Sequence, residues 1–116
     1  MPIPMTPKQL AVMMAKAAED VQAMDPVILD LTGLTSFTDY FIICSGKSDT
    51  QVRAIADAMM KKLKEKGRYP LGLEGYSEAE WILLDFGDAV AHIFYNEVRS
   101  FYNLEKLWGD APKLIL

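Results

Sequence analysis

Three side chains in the C-terminal half of the chain have the types and spacing for acid–base work. The stretch WILLDFGDAVAHIF, Trp81 to Phe94, carries Asp85, Asp88 and His92, the last being the sole histidine of the sequence. An aspartate and a histidine within side-chain reach make a simple proton-transfer pair. Gly87-Asp88 suits a two-residue type II′ hairpin turn, with glycine at the first central position. In that register Phe86 opposes Ala89, Asp85 opposes Val90, Leu83 opposes His92 and Trp81 opposes Phe94. Alternation then gives an apolar face of Ile82, Leu84, Phe86, Ala89, Ala91, Ile93 and Tyr95. The other face holds Trp81, Leu83, Asp85, Val90, His92 and Phe94. Asp85 and His92 become diagonal neighbours there, roughly 6–8 Å apart at the backbone. This face has no serine or cysteine to serve as nucleophile, and two ligands fall short of the three or four a metal centre needs. Asp88 suits the turn through local hydrogen bonding alone. A mixture of aromatic, apolar and polar groups points to docking ahead of catalysis.

Two other segments have the look of chemistry. Gly46-Lys47-Ser48 follows an apolar run and resembles the end of a phosphate-binding loop. The full pattern needs a further glycine five residues earlier, and Phe41 stands there. Ser48 is better explained as a helix cap, with Gln51 as its box partner. Cys44 lies inside the run YFIIC and is expected as a buried small apolar residue rather than a reactive thiol. No cofactor or metal site is expected.

These residues must be positioned by a small set of elements. Thr6, Pro7 and Gln9 open a first helix with a cap, a first-turn proline and a capping box. Its stripe of Leu10, Met13, Met14, Ala17, Val21 and Met24 is expected to run until Asp25-Pro26 stops it. The methionines suit adaptable core packing, or a plastic binding surface. Val27–Leu31 reads as a short strand and Tyr40–Cys44 as an interior one covered on both faces. A second helix is expected from about Asp49 to Lys66, burying Val52, Ile55, Ala56, Met59 and Leu63 and ending at Gly67. Lys61, Lys62, Lys64 and Lys66 crowd its end, where they favour the helix dipole; an RNA contact is the alternative. Tyr69–Glu74 reads as an edge strand because of Pro70. After the hairpin comes a mostly helical segment with Leu104 and Trp108 one turn apart, ending at Gly109–Pro112. The order αββαβββα predicts one α/β domain over residues 1–116, with a mixed sheet of about five strands and flanking helices.

The bulk properties agree with such a domain. The chain has 116 residues, of which 51% are hydrophobic and 24% charged, as in ordinary folded proteins. No apolar run approaches the roughly 20 residues that span a bilayer. The opening residues do not read as a secretory or transit signal, and one cysteine rules out an intrachain disulfide framework. A cytoplasmic protein is expected. The net charge of −4 disfavours extensive nucleic-acid contact and complements a basic protein partner.

The chain resembles the ribosomal silencing factor family, also called Iojap-like proteins. The resemblance runs from about Asp30 to Trp108. It rests on Thr38-Asp39-Tyr40-Phe41-Ile42-Ile43, on Ser45-Gly46-Lys47-Ser48 leading to Gln51-Val52 and Ile55-Ala56-Asp57, and on Glu74-Gly75. It continues through Trp81-Ile82-Leu83-Leu84-Asp85 with Gly87-Asp88, through His92, and through Phe101-Tyr102-Asn103-Leu104-Glu105 with Leu107-Trp108. It implies a fold related to nucleotidyltransferases but without their catalytic acidic set, and no enzyme activity. It also implies binding to the universal fourteenth protein of the large ribosomal subunit, which blocks joining of the small subunit and damps translation when nutrients are scarce. A homodimer when free is a further implication. On the mixed hairpin face, Trp81 and Leu83 are then expected to supply apolar contact with Asp85 and His92 at their edge. Asp88 or Glu105 would add charge, and Tyr102, Leu104 and Trp108 would extend the surface. The alternative is a nucleotide-handling enzyme using Asp85, His92 and the loop from Ser45 to Ser48.

Overall fold

The computed structural model describes residues 4–107, 109 and 111–114, with backbone only for Phe101, Glu105 and Leu107. The first helix, α1, spans Pro7–Asp20. Its capping box is closed: Thr6 Oγ1 accepts from the Gln9 N–H at 3.1 Å, and Gln9 Oε1 accepts from the Thr6 N–H at 3.0 Å. The helix ends earlier than the apolar stripe suggests. Gln22 takes φ +62°, its N–H donates to the Glu19 carbonyl, and the Ala23 N–H donates to the Ala18 carbonyl at 3.0 Å. This is the bond pair of a Schellman stop, with glutamine where glycine is usual. Met24 therefore begins strand β1, Met24–Asp30, instead of ending α1. Pro26 is accommodated where the register of β1 slips between Met24 and Val27.

Strand β2, Tyr40–Gly46, is buried throughout, as expected of an interior strand. Helix α2, Asp49–Lys64, starts at Ser48, whose Oγ accepts from the Gln51 N–H at 3.1 Å. The Gln51 side chain does not close the expected box with the Ser48 N–H but bonds elsewhere. Its Oε1 accepts from the Lys47 N–H at 2.7 Å, and its Nε2 donates to the Gln22 carbonyl at 3.0 Å. The loop that imitates a phosphate cradle is thus tied to the end of α1. Gly67, at φ +73°, stops the turn after α2, and Arg68 N–H returns to the Leu63 carbonyl at 2.9 Å.

The remaining elements are β3 (Gly72–Glu74), β4 (Trp81–Asp85), β5 (Ala89–Tyr95), α3 (Asn96–Tyr102), α4 (Leu104–Leu107) and β6 (Lys113–Leu114). The edge strand β3 is shorter than the Tyr69–Glu74 expected. The single C-terminal helix is broken in two at Asn103, which adopts φ +44°. Six strands form one sheet in the order β3-β4-β5-β2-β1-β6, one more than expected. The added strand is only two residues long, too short for any periodic signal, and pairs with Ile28 and Leu29. Only β2 and β5 run parallel; the other neighbours are antiparallel. A mixed α/β sheet with flanking helices is what the element order predicted.

The β4/β5 register is the one read from Gly87-Asp88. Trp81 faces Phe94, Leu83 faces His92 and Asp85 faces Val90. Gly87 has the positive φ, +88°, that calls for glycine at the turn, and the Phe86 N–H donates to the Ala89 carbonyl at 3.0 Å, carrying the ladder up to it. One sheet face packs under α1 and α2 in a core that includes Leu10, Met14, Ile42, Ile55, Met59, Ile82 and Ile93. Each such side chain, fully removed from water, contributes roughly 2 kcal/mol. Among the described residues, no helix is long and apolar enough to cross a membrane.

Candidate functional site

The second face of the sheet is only partly covered. At its centre, Leu29, Phe41, Ile43, Val90 and Phe94 form a smaller core with Leu31 and Ala111, and Val98 and Leu104 pack against it. α3 is held over this core by Arg99, whose guanidinium donates to the Met24 carbonyl at 3.1 Å, the Asp25 carbonyl at 2.8 Å and Ser45 Oγ at 3.2 Å. Towards β4 the cover thins, and Trp81, Leu83 and Asp85 stay half-buried. A concavity of about 460 Å³ opens there, lined by Phe37, Phe41, Trp81, Leu83, Asp85, Val90, His92 and Leu104.

Trp81 organises the site. Its ring stacks on Phe94 at 5.2 Å and leans on Tyr102 at 4.5 Å. Its Nε1–H donates to His92 Nδ1 at 3.1 Å. That bond assigns the imidazole proton to Nε2, because a neutral ring carries one donor and one acceptor. His92 is 5% exposed, and Nε2 finds no hydrogen-bond partner. The Phe41 ring crosses it at 4.4 Å and 70°. Burial pushes the His92 pKa down to about 4, so the ring is neutral near pH 7.

Asp85 and His92 make separate bonds. Asp85 Oδ1 accepts from the Gly87 N–H at 2.7 Å, which closes the hairpin turn. The imidazole turns to Trp81. The acid–base pairing that the diagonal spacing allows is therefore replaced by two local structural bonds. Cys44 is fully buried, and desolvation pushes its pKa up to about 12 against a smaller downward pull from Arg99; it is the buried apolar residue expected. Among the described residues, no group of three His, Cys, Asp or Glu side chains is placed to hold a metal.

The structure brings most of the proposed contact residues to one side. Trp81, Leu83 and Asp85 line the concavity with Leu104, while Tyr102, 44% exposed, stands against Trp81. Asp88 is exposed at the turn, and its carbonyl accepts the N–H groups of both Asp39 and Tyr40 at 3.1 Å. His92, expected at the edge of the face, sits in its floor, because the Phe41 ring and the Trp81 indole close against it. The Glu105 side chain and Trp108 lie outside the described residues. Phe37, 70% exposed, Phe41 and Val90 belong to the concavity and were not singled out as contacts. Val90 stood on the correct face in the hairpin register, whereas Phe41 arrives through the parallel pairing of β2 with β5, which has no local sequence signal.

Comparison with known proteins agrees with this arrangement. A family model described as "Ribosomal silencing factor during starvation" matches residues 4–115. The chain is 46% identical over 108 residues to Ribosomal silencing factor RsfS of Bacillus subtilis, covering 93% of this chain and 92% of that protein. It is 43% identical over 112 residues to Ribosomal silencing factor RsfS of Halalkalibacterium halodurans, covering 97% and 96%. A crystal structure of a protein from Chromobacterium violaceum superposes with a TM-score of 0.88 at 38% identity, over 90% of this chain and 88% of that one. Sequence motifs, sheet order and near-complete coverage of both chains converge: the chain belongs to the ribosomal silencing factor family.

Proposed function

We propose that this protein silences ribosomes by occupancy, with no chemical step of its own. It acts in the cytoplasm, seating the Trp81 face on the large ribosomal subunit through that subunit's universal fourteenth protein. Once seated, it stands in the way of the small subunit, and translation is damped when nutrients are limiting. The observation that carries this reading is the half-open, aromatic sheet face around Trp81 and Leu83, bordered by the carboxylates of Asp85 and Asp88 and extended by Tyr102 and Leu104. Aromatic anchors beside a polar border are the usual make-up of a protein-docking patch. The chain's net charge of −4 suits a basic ribosomal protein. Glu105 and Trp108 join the same surface through the family resemblance, and His92 supports Trp81 from beneath. A homodimer of the free protein belongs to the same reading, since exposed Phe37 and Tyr102 leave apolar area for a second copy.

Sedimentation tests the proposal. Purified protein added to separated subunits is expected to travel with large subunits and to lower the yield of joined ribosomes. Failure of both would end this reading. Light scattering of the free protein at rising concentration checks the homodimer.

A further inference from the structure

On the other side of the sheet, α1 and the end of α2 leave an open trough of about 580 Å³. Met5, Val12 and Met13, each half-buried, form its apolar part, and Lys8, Lys16, Lys62 and Lys66 stand along it. Four of the chain's 12 lysines and arginines thus gather at one groove, and no aspartate or glutamate lines it. On a chain of net charge −4 this is a local reversal of sign. Lys8 and Lys16 stand two turns apart on α1, about 12 Å along its axis, and Lys62 and Lys66 face them from one turn of α2 and its end. The ion pair formed among the described residues is Arg53–Asp49, so these four ammonium groups have no carboxylate partner there. Mutual repulsion of the four is relieved by an anionic occupant.

The methionines in and just before α1 divide between two tasks. Met14 is wholly buried in the core, as is Met59 of α2, whereas Met5 and Met13 are left lining the trough. Unbranched thioether side chains adapt to whatever packs on them. A nucleic-acid strand would want stacking aromatics beside its phosphate contacts, and no aromatic lines this groove. Aliphatic floor, basic margins and a length of two helical turns match an amphipathic helix with acidic flanks.

We propose that the trough between α1 and α2 is a docking site for an acidic amphipathic α-helix of a partner protein. Its apolar residues at i and i+3 or i+4 lie on Met5, Val12 and Met13, and its flanking carboxylates meet the four lysines. The trough lies on the opposite side of the sheet from the Trp81 face, so both surfaces can be occupied at once.

Methionine-methyl NMR of the full chain tests this. The probe is a synthetic helical peptide of about 15 residues, with leucines at i and i+4 and glutamates on both flanks. Saturable shifts of the Met5 and Met13 methyl signals are expected, with Met14 and Met59 unmoved. Binding should weaken about five-fold for each of Lys16→Glu and Lys62→Glu, both exposed positions, and should fall steeply with salt. The absence of shifts, or shifts indifferent to both charge reversals, would overturn the proposal. So would stronger displacement of the same methyls by decanoate or by polyuridylate, which would make the occupant an acyl chain or an RNA. Binding that appears only after residues 1–3 are removed would also overturn it, making the chain's own N terminus the occupant.

Discussion

The indole N–H of Trp81 reaches across the β4/β5 pair to His92 Nδ1 at 3.1 Å. This bond joins a half-buried residue lining the concavity to one that is almost wholly enclosed. It orients the indole, and it leaves the imidazole proton on an atom with no acceptor. The histidine thus supports the Trp81 indole from beneath.

That enclosure has a pH signature. Burial lowers His92 to about 4, while in the unfolded chain the group titrates near 6.5. Between these values the unfolded chain binds a proton that the folded one refuses. Stability is thus at its full value above the unfolded pKa and falls as pH drops toward 4, by about 3 kcal/mol from this group. His92→Gln, which keeps an acceptor for Trp81, is expected to flatten this part of the stability curve. Denaturant unfolding between pH 7 and pH 4 reads it; parallel curves for the two proteins would contradict the assignment.

Leu83 separates docking from folding. It is half-buried and faces Glu74 across the β3/β4 pair. In Leu83→Lys the new ammonium sits opposite that carboxylate, so the melting temperature should change little. A cation placed on the patch should nonetheless cut large-subunit binding by about thirty-fold, the size of a hot-spot loss of about 2 kcal/mol. Co-sedimentation of the folded variant at wild-type levels would place the docking surface elsewhere.

Gly75 is a backbone requirement of the site. It adopts φ +77°, and a Cβ there would run into the Trp81 carbonyl. Gly75→Ala combines a left-handed backbone with a clash against the first residue of β4, for a cost of about 3 kcal/mol. Chemical denaturation should show that loss, and large-subunit binding should fall with it because β4 sets the position of Trp81. A near-neutral substitution would mean that the turn from Gly75 to Glu80 can shift without penalty.

Cys44 should be silent in the native protein. Its burial and a pKa pushed up to about 12 leave neither thiolate nor access for a reagent. Labelling by a disulfide reagent at pH 8 is expected only at the rate of unfolding and should speed up with added denaturant. Rapid labelling without denaturant would show that β2 opens locally.

Local chemistry made part of this structure legible from sequence. The glycine turn at Gly87-Asp88 and strict alternation on each side gave every pairing of the hairpin, because both signals lie within a few residues. The caps at Thr6 and Ser48 were readable for the same reason. What escaped depends on distant neighbours. Gln22 ends α1 in a conformation usually left to glycine, and β6 is recognisable only by its bonds to β1. The enclosure of His92 follows from the rings of Phe41 and Trp81, which β2 and β4 bring against it from either side of β5. Phe41 reaches the concavity through a parallel pairing that no short motif announces, and Phe37 from the loop before β2.

That parallel pairing also governs how the protein emerges from synthesis. β2 and β5 lie side by side at the centre of the sheet, yet α2, β3 and β4 separate them in the chain. The middle of the fold cannot close until β5 has been made, and such long-range closure is slow compared with local helix formation. α3, whose cover completes the Trp81 face, follows immediately after β5. A chain that has not yet reached α3 therefore lacks the Trp81 face, which is among the last parts of the fold to assemble.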